Sequence, residues 1–165
     1  VSAQIKPAGA GGWRRIVDPD GKRDGIDAYR EAPVHPRAFA ARLARTVFAN
    51  GRSDCELVAG LYADTLAGGF GRAQVLVYRN AMWGDEEAVL LAEALPLAKE
   101  VWRLNLVGNF GIGQRGLDAL AAALREGAAP KLRELRGDWE SSGWGKKAEG
   151  LRAACEARGV AVNEW

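Results

Sequence analysis

QVLVYRNAMWGDEEAVLLAEAL, Gln74 to Leu95, lies over RLNLVGNFGIGQRGLDALAAAL, Arg103 to Leu124, when the chain is slid by 29 positions. Val75 then meets Leu104, Val77 meets Leu106 and Asn80 meets Asn109, while Trp83 meets Ile112 and Gly84 meets Gly113. Leu91 and Ala92 fall on Leu120 and Ala121, and Leu95 falls on Leu124. Each copy joins an alternating apolar stretch, as in a strand buried on one face, to apolar residues at helical spacing. A third, degenerate unit follows at a shift of 31: Leu132, Leu135, Leu151 and Cys155 take the places of Val101, Leu104, Leu120 and Leu124. In it Gly137 replaces an inward leucine and Glu140 replaces the asparagine. Upstream, a helical stretch from Ser53 to Ala67 keeps the 29-residue step, with Ala63 before Ala92 and Leu66 before Leu95, but no strand half precedes it.

A period near 29 that couples a strand to a helix is the mark of leucine-rich repeats. The pattern carried by Val101, Leu104, Leu106, Asn109, Ile112, Gly113, Gly116, Leu120, Ala121 and Leu124 resembles the ribonuclease-inhibitor-like subfamily over about residues 53–165. That resemblance implies an α/β fold: a short leucine-rich repeat solenoid with parallel strands on the concave side and helices on the convex side. It also implies that Asn80 and Asn109 bond backbone groups where the chain leaves the strand, with Gly84 and Gly113 at the repeat corners. Period-2 alternation then turns Gln74, Leu76 and Tyr78 outward in the first unit. The same alternation selects Arg103, Asn105 and Val107 in the second unit and Glu134, Arg136 and Asp138 in the third, with Trp139 beside them. This concave strip is the expected partner-binding surface, because tyrosine, tryptophan and arginine are frequent interface anchors.

Gly111-x-Gly113-x-x-Gly116 offers a competing reading as a dinucleotide-binding loop, and Asp138 lies 22 residues beyond it as a ribose-binding acid would. Against it, the upstream copy places Met82, Gly84 and Glu87 at these positions, so only Gly113 is shared. Gly108-Asn109-Phe110 also intervene before Gly111, where the fingerprint wants its first glycine directly after the strand. The loop reads as a repeat corner in which Gly111→Ala is nearly silent. Residues near it supply no nucleophile–base pair, so no catalytic residue and no cofactor is expected.

The front of the chain is organised differently. His35 to Gly51 reads as a helix with Phe39, Leu43 and Val47 on one stripe. Ser53-x-x-Glu56 reads as a capping box opening the helix that carries Leu57, Leu61 and Leu66. Together they form an expected helical cap over residues 35–72, followed by repeat 1 (73–100), repeat 2 (101–131) and a degenerate repeat 3 with C-terminal cap (132–165). Residues 1–34 carry no sustained period and read as an extended N-terminal arm anchored by Trp13, Ile16 and Tyr29. Asp20, Asp24, Gly25 and Glu31 match places of a calcium-binding EF-hand loop, but Lys22 stands where an oxygen donor is needed. Turns in an extended arm are the better reading, and no metal is expected.

Composition narrows the classes further. Residues 1–52 carry ten Lys/Arg against five Asp/Glu, a net +5, and the remaining residues carry thirteen against sixteen, a net −3. A basic arm on a mildly acidic body suits docking to other protein subunits more than nucleic acid. No apolar run approaches the ~20 residues of a membrane helix, leaving peripheral association with a membrane complex as the only membrane contact expected. Two cysteines and one histidine leave little for thiol or metal chemistry, and Cys155 reads as a buried free thiol. Trp102, Trp144 and Trp165 read either as gap fillers or as outward anchors. The start at Val1, with Arg14 and Arg15 ahead of the first acidic residue Asp18, fits a chain from which a targeting peptide has been removed. The expected protein is therefore a non-enzymatic interaction module, an accessory or assembly subunit of a larger complex. It is intracellular, in a plastid or mitochondrial assembly of photosystem or respiratory type, and otherwise cytoplasmic. A nucleotide-binding enzyme using the glycine loop and a free regulatory repeat adaptor are the alternatives.

Overall fold

The computed structural model describes residues 13–16, 25–28, 31–46, 52–140 and 143–163. Two short strands, β1 (Trp13–Ile16) and β2 (Gly25–Ala28), precede two helices, α1 (Pro36–Leu43) and α2 (Arg52–Phe70). Strand–helix alternation follows: β3 (Val75–Val77), α3 (Asp85–Ala94), β4 (Arg103–Asn105), α4 (Gln114–Arg125), β5 (Glu134–Arg136), α5 (Glu149–Ala157) and β6 (Ala161–Asn163). The strands form one six-stranded sheet in sequence order, with β1 antiparallel to β2 and every later pair parallel. Parallel neighbours cannot be joined by a tight turn, so each pair needs a crossover. From β3 onward one α-helix supplies it, extended by a short 3-10 turn after α3 (Leu95–Leu97) and before α5 (Gly145–Ala148), and α3, α4 and α5 pack side by side.

The core lies between the sheet and these helices. Leu76, Leu104 and Leu135 are register partners and form an inward row without solvent exposure. Leu91, Leu120 and Leu151 meet that row from the helices, all fully buried. Each such leucine contributes about 1.5–3 kcal/mol by leaving water. At the base of α4, Arg158 closes the helix end: its guanidinium donates to the carbonyls of Leu124 (3.1 Å), Ala128 (2.6 Å) and Ala129 (2.9 Å). The Leu124 and Ala129 carbonyls also accept from the Gly127 and Leu132 N–H groups, so Arg158 adds a second donor there and ties the end of α4 to the loop that follows it. Cys155 is buried, and burial pushes its thiol up to about 11, with the positive charge of Arg158 acting in the opposite direction.

Three expectations are corrected. The 29-residue slide holds for the helix starts and helices, since Gly84 and Gly113 both precede a helix and Leu91 and Leu120 are both buried. It fails in the strands, where Val75 pairs with Arg103 and Leu76 with Leu104, a step of 28. The second unit thus holds one more residue in its corner than the first. Because side chains alternate, a one-residue slip reverses the face of every strand residue. Leu76 and Tyr78 therefore point into the core, each with 0% exposure, and are not on the outer surface.

The second correction concerns the arm. It is not wholly outside the body, because β2 pairs in parallel with β3 and adds the strand half that the α2 unit lacks. Trp13 and Ile16 end strand β1, while Tyr29 lies outside the described residues. Gly25 begins a strand paired on both sides, which is not the sharp turn that the sixth place of an EF-hand loop requires. Asp20, Lys22 and Asp24 lie outside the described residues. Third, α1 ends at Leu43, well short of Gly51, and α2 begins at Arg52, so Ser53 is inside the helix and does not precede it. Phe39 nevertheless packs as its stripe requires, stacked 3.9 Å from Tyr62 of α2.

Candidate functional site

On the sheet face opposite the helices, Arg103 and Glu134 are register partners on β4 and β5, and Asn105, Arg136 and Asn163 form the next row on β4, β5 and β6. Glu134 sits at their centre. Its Oε2 accepts from Arg103 Nε at 2.6 Å, and its Oε1 accepts from Arg136 Nε at 2.7 Å and from Asn163 Nδ2 at 3.0 Å. Charge-assisted bonds of this length are the strong class. Side-chain exposure is only 13% for Arg103 and for Glu134 and 28% for Arg136, so the cluster is held in place and partly shielded from salt. Burial alone would raise the Glu134 carboxyl, but hydrogen bonds from Arg136, Asn163 and Arg103 outweigh it and hold the group below the usual carboxylate range. Because the folded value is depressed, the network's contribution is present above the ordinary carboxylate value and is lost as pH falls through the lowered one.

Of the expected outer strip, Arg103, Asn105, Glu134 and Arg136 thus come together as one surface. Leu76 and Tyr78 are in the core, and two further residues leave the strip for local reasons. Val107 is 3% exposed, since the chain has left β4 by then and alternation no longer governs it. Trp139 is 4% exposed, packed edge-on to Trp144 at 5.3 Å, with its Nε1 donating to the Asn163 carbonyl at 2.9 Å. Asp138 turns its carboxylate to the preceding unit, accepting from the N–H groups of Gly108 (2.9 Å) and Asn109 (3.1 Å).

The two corner asparagines differ in their surroundings. Asn109 is completely buried and accepts from the N–H groups of Ala81 and Trp83 while donating to the carbonyls of Tyr78 and Leu106. Asn80 is exposed, with φ 53°, and stands one step of 28 before Gly108, whose φ is 79°. It is a turn residue and not a second ladder asparagine.

The glycine loop is also a packing device. Asp85 Oδ1 accepts from Gly113 N–H at 2.8 Å and from Gly116 N–H at 2.7 Å. The N-terminus of α4, where a pyrophosphate would seat, is thereby filled by a carboxylate of the preceding unit. In the first unit Glu87 serves the matching purpose by accepting from Gly84 N–H at 2.9 Å. A side chain at Gly111 would come within 2.8 Å of the Trp83 carbonyl oxygen, and one at Gly116 within 2.8 Å of Ala88 Cβ. The expectation that Gly111→Ala is silent is therefore overturned. The backbones of neighbouring units touch there, and we expect the substitution to cost about 1–3 kcal/mol in urea denaturation, where a loss below 0.5 kcal/mol would contradict the contact.

Two features escaped sequence reasoning. Gln74, Glu100, Trp102, Lys131 and Arg133 line an open groove of about 440 Å³ at the starts of β3, β4 and β5. They belong to different repeats and to the loops between them, so no local motif joins them. Leu57 and Leu61 on α2, and Met82 and Phe110 at consecutive corners, are the most exposed large apolar side chains among the described residues. Trp165 lies outside those residues, and no helix among them is long and apolar enough to cross a membrane. No protein-family model, curated protein or solved structure matches the chain.

Proposed function

We propose that the chain is a non-enzymatic protein–protein interaction module built as a short leucine-rich repeat solenoid, serving as an accessory or assembly subunit of a larger complex. What carries this reading is the Arg103–Glu134–Arg136–Asn163 cluster on the outward sheet face. A solvating surface does not need two guanidiniums fixed on one carboxylate. A docking surface does, because side chains ordered beforehand lose less entropy on association. The strand–helix period and the Asn109 corner support the repeat assignment. The alternating order β3–α3–β4–α4–β5–α5–β6 agrees with it. The basic front of the sequence favours an assembled subunit over a free adaptor.

The test is affinity purification of the C-terminally tagged chain from native membranes and soluble lysate, with and without Arg136→Ala. Deleting the arm is a poor control, since that would strip β2 from the sheet. Recovery of one stable complex that Arg136→Ala depletes by about tenfold is the expected outcome, with the variant still folded by circular dichroism and less stable by about 1.5–3 kcal/mol through loss of its bond to Glu134. Recovery of both forms as a free monomer contradicts the proposal.

A further inference from the structure

We propose that the groove at the strand starts binds an acidic, extended peptide segment of the partner, with one carboxylate on Arg133 and an apolar side chain on Trp102. This deepens the interaction-module reading and rests on it. The groove's five lining residues include one aromatic ring and two cations against one carboxylate. Lys131 is already engaged, its Nζ 2.6 Å from Glu100 Oε2, in an exposed pair. Arg133 is exposed and makes no hydrogen bond or ion pair through its side chain among the described residues. Among those residues it is the one cation of the groove left to a ligand. Trp102 is half-buried, and the Arg103 guanidinium lies 4.5 Å from its ring centroid. Through that stack the groove is continuous with the charged cluster of the outward face. Among the described residues of the joined surface Arg103, Lys131, Arg133 and Arg136 stand against Glu100 and Glu134, a net +2 in a body whose sequence is otherwise acidic.

The donors present choose a carboxylate over a phosphate. The N–H of Trp102 bonds the Gln74 carbonyl and that of Arg133 bonds the Trp102 carbonyl, both at 2.8 Å. Those two N–H groups are thus already bonded and are not free to cradle a phosphate in the way phosphate sites use backbone N–H groups. One fork-shaped guanidinium suits one carboxylate, and the indole beside it offers apolar area for a neighbouring side chain.

The experiment uses the full chain, labelled with ¹⁵N, and two capped pentapeptides, acetyl-Glu-Asp-Leu-Asp-Glu-amide and acetyl-Lys-Lys-Leu-Lys-Lys-amide. We expect the acidic peptide to shift the Trp102 indole N–H saturably, that signal being assigned by its loss in Trp102→Phe. Arg133→Glu should weaken the acidic peptide by at least about tenfold and admit the lysine peptide, and Arg133→Lys should retain most of the affinity. No saturable shift at Trp102, or an equal response to both peptides, overturns the proposal. Shifts confined to Arg103, Asn105 and Arg136 that Arg133→Glu leaves unchanged overturn the groove while leaving the outward face as the docking surface. Intact peptide binding by a chain recovered only as a monomer sinks the subunit reading instead.

Discussion

Replacing Gly137 with leucine lowers the stability of the protein by about 3 kcal/mol, although leucine is the residue the repeat pattern asks for at that position. Gly137 follows β5 where Leu106 follows β4. A Cβ at Gly137 would overlap ring atoms Cζ3 and Cη2 of Trp144, so the indole already fills the volume a leucine would take. Trp144 cannot step aside cheaply. It is 1% exposed, its Nε1 donates to the Asn109 carbonyl at 3.1 Å, and its ring meets Trp139 edge-on. The longer third corner puts it there: Trp144 N–H bonds the Asp138 carbonyl, and the Gly143 and Gly145 N–H groups bond that of Glu140. The loop folds back and inserts the ring under the sheet. Urea denaturation of Gly137→Leu, Trp144→Ala and the double variant tests this. Trp144→Ala alone should cost about 3–5 kcal/mol through the cavity it opens, and adding Gly137→Leu to it should restore part of that loss. If Gly137→Leu costs the same with and without the indole, the two do not share a site and the packing account fails.

That exchange of a leucine for a distant tryptophan shows which parts of the fold were legible in sequence. Helix faces were legible, because Leu117, Leu120, Ala121 and Leu124, like Leu151, Ala154 and Cys155, recur at spacings set by the helix itself. The second corner was legible through Asn109 only by way of the family resemblance, which implies backbone partners for an asparagine at that place. Strand faces were harder. VLVY at Val75–Tyr78 is apolar at every position, so nothing in it says which alternate set faces inward, and a slide without gaps cannot register one additional corner residue. β2 was not legible at all. Gly25–Ala28 holds one large apolar residue, Ile26, and α1 and α2 separate it from the strand it joins. In the candidate site, Arg103, Asn105, Glu134 and Arg136 followed from alternation, because β4 and β5 each set charged or polar residues around a single leucine. Asn163 and Arg133 did not, since their roles depend on which strands become neighbours.

Asn109→Ala lowers stability by about 3–5 kcal/mol, while Asn80→Gly changes it by less than about 0.5 kcal/mol. Sliding the sequence by 29 makes these two asparagines equivalent, so the contrast separates that alignment from the observed register. The Asn109 side chain serves four backbone groups at once: the Ala81 and Trp83 N–H groups at 3.1 Å each, the Tyr78 carbonyl at 2.8 Å and the Leu106 carbonyl at 2.7 Å. Truncation would leave all four without this partner in a site closed to water, at about 1–3 kcal/mol for each buried group that finds no other. The sum is smaller than four such terms, because the corner can relax and admit solvent. Even so, the loss takes a large share of the 5–15 kcal/mol typical of a folded domain. Asn80 is exposed with φ 53°, a conformation glycine adopts without strain, and its side chain makes no hydrogen bond among the described residues. Hydrogen exchange gives the local signature, since the amides of Ala81 and Trp83 should lose protection in Asn109→Ala beyond the global loss. Asn109→Asp keeps an acceptor for those two N–H groups but turns its second oxygen toward two carbonyls. Burial and that repulsion raise the new carboxyl's folded value above its unfolded one. Its penalty relative to the wild type is therefore greatest near neutral pH and shrinks as pH falls and the carboxyl takes up a proton. Equal stability losses at Asn80 and Asn109, or a penalty for Asn109→Asp that does not change with pH, would show that this corner is not held by a single buried amide.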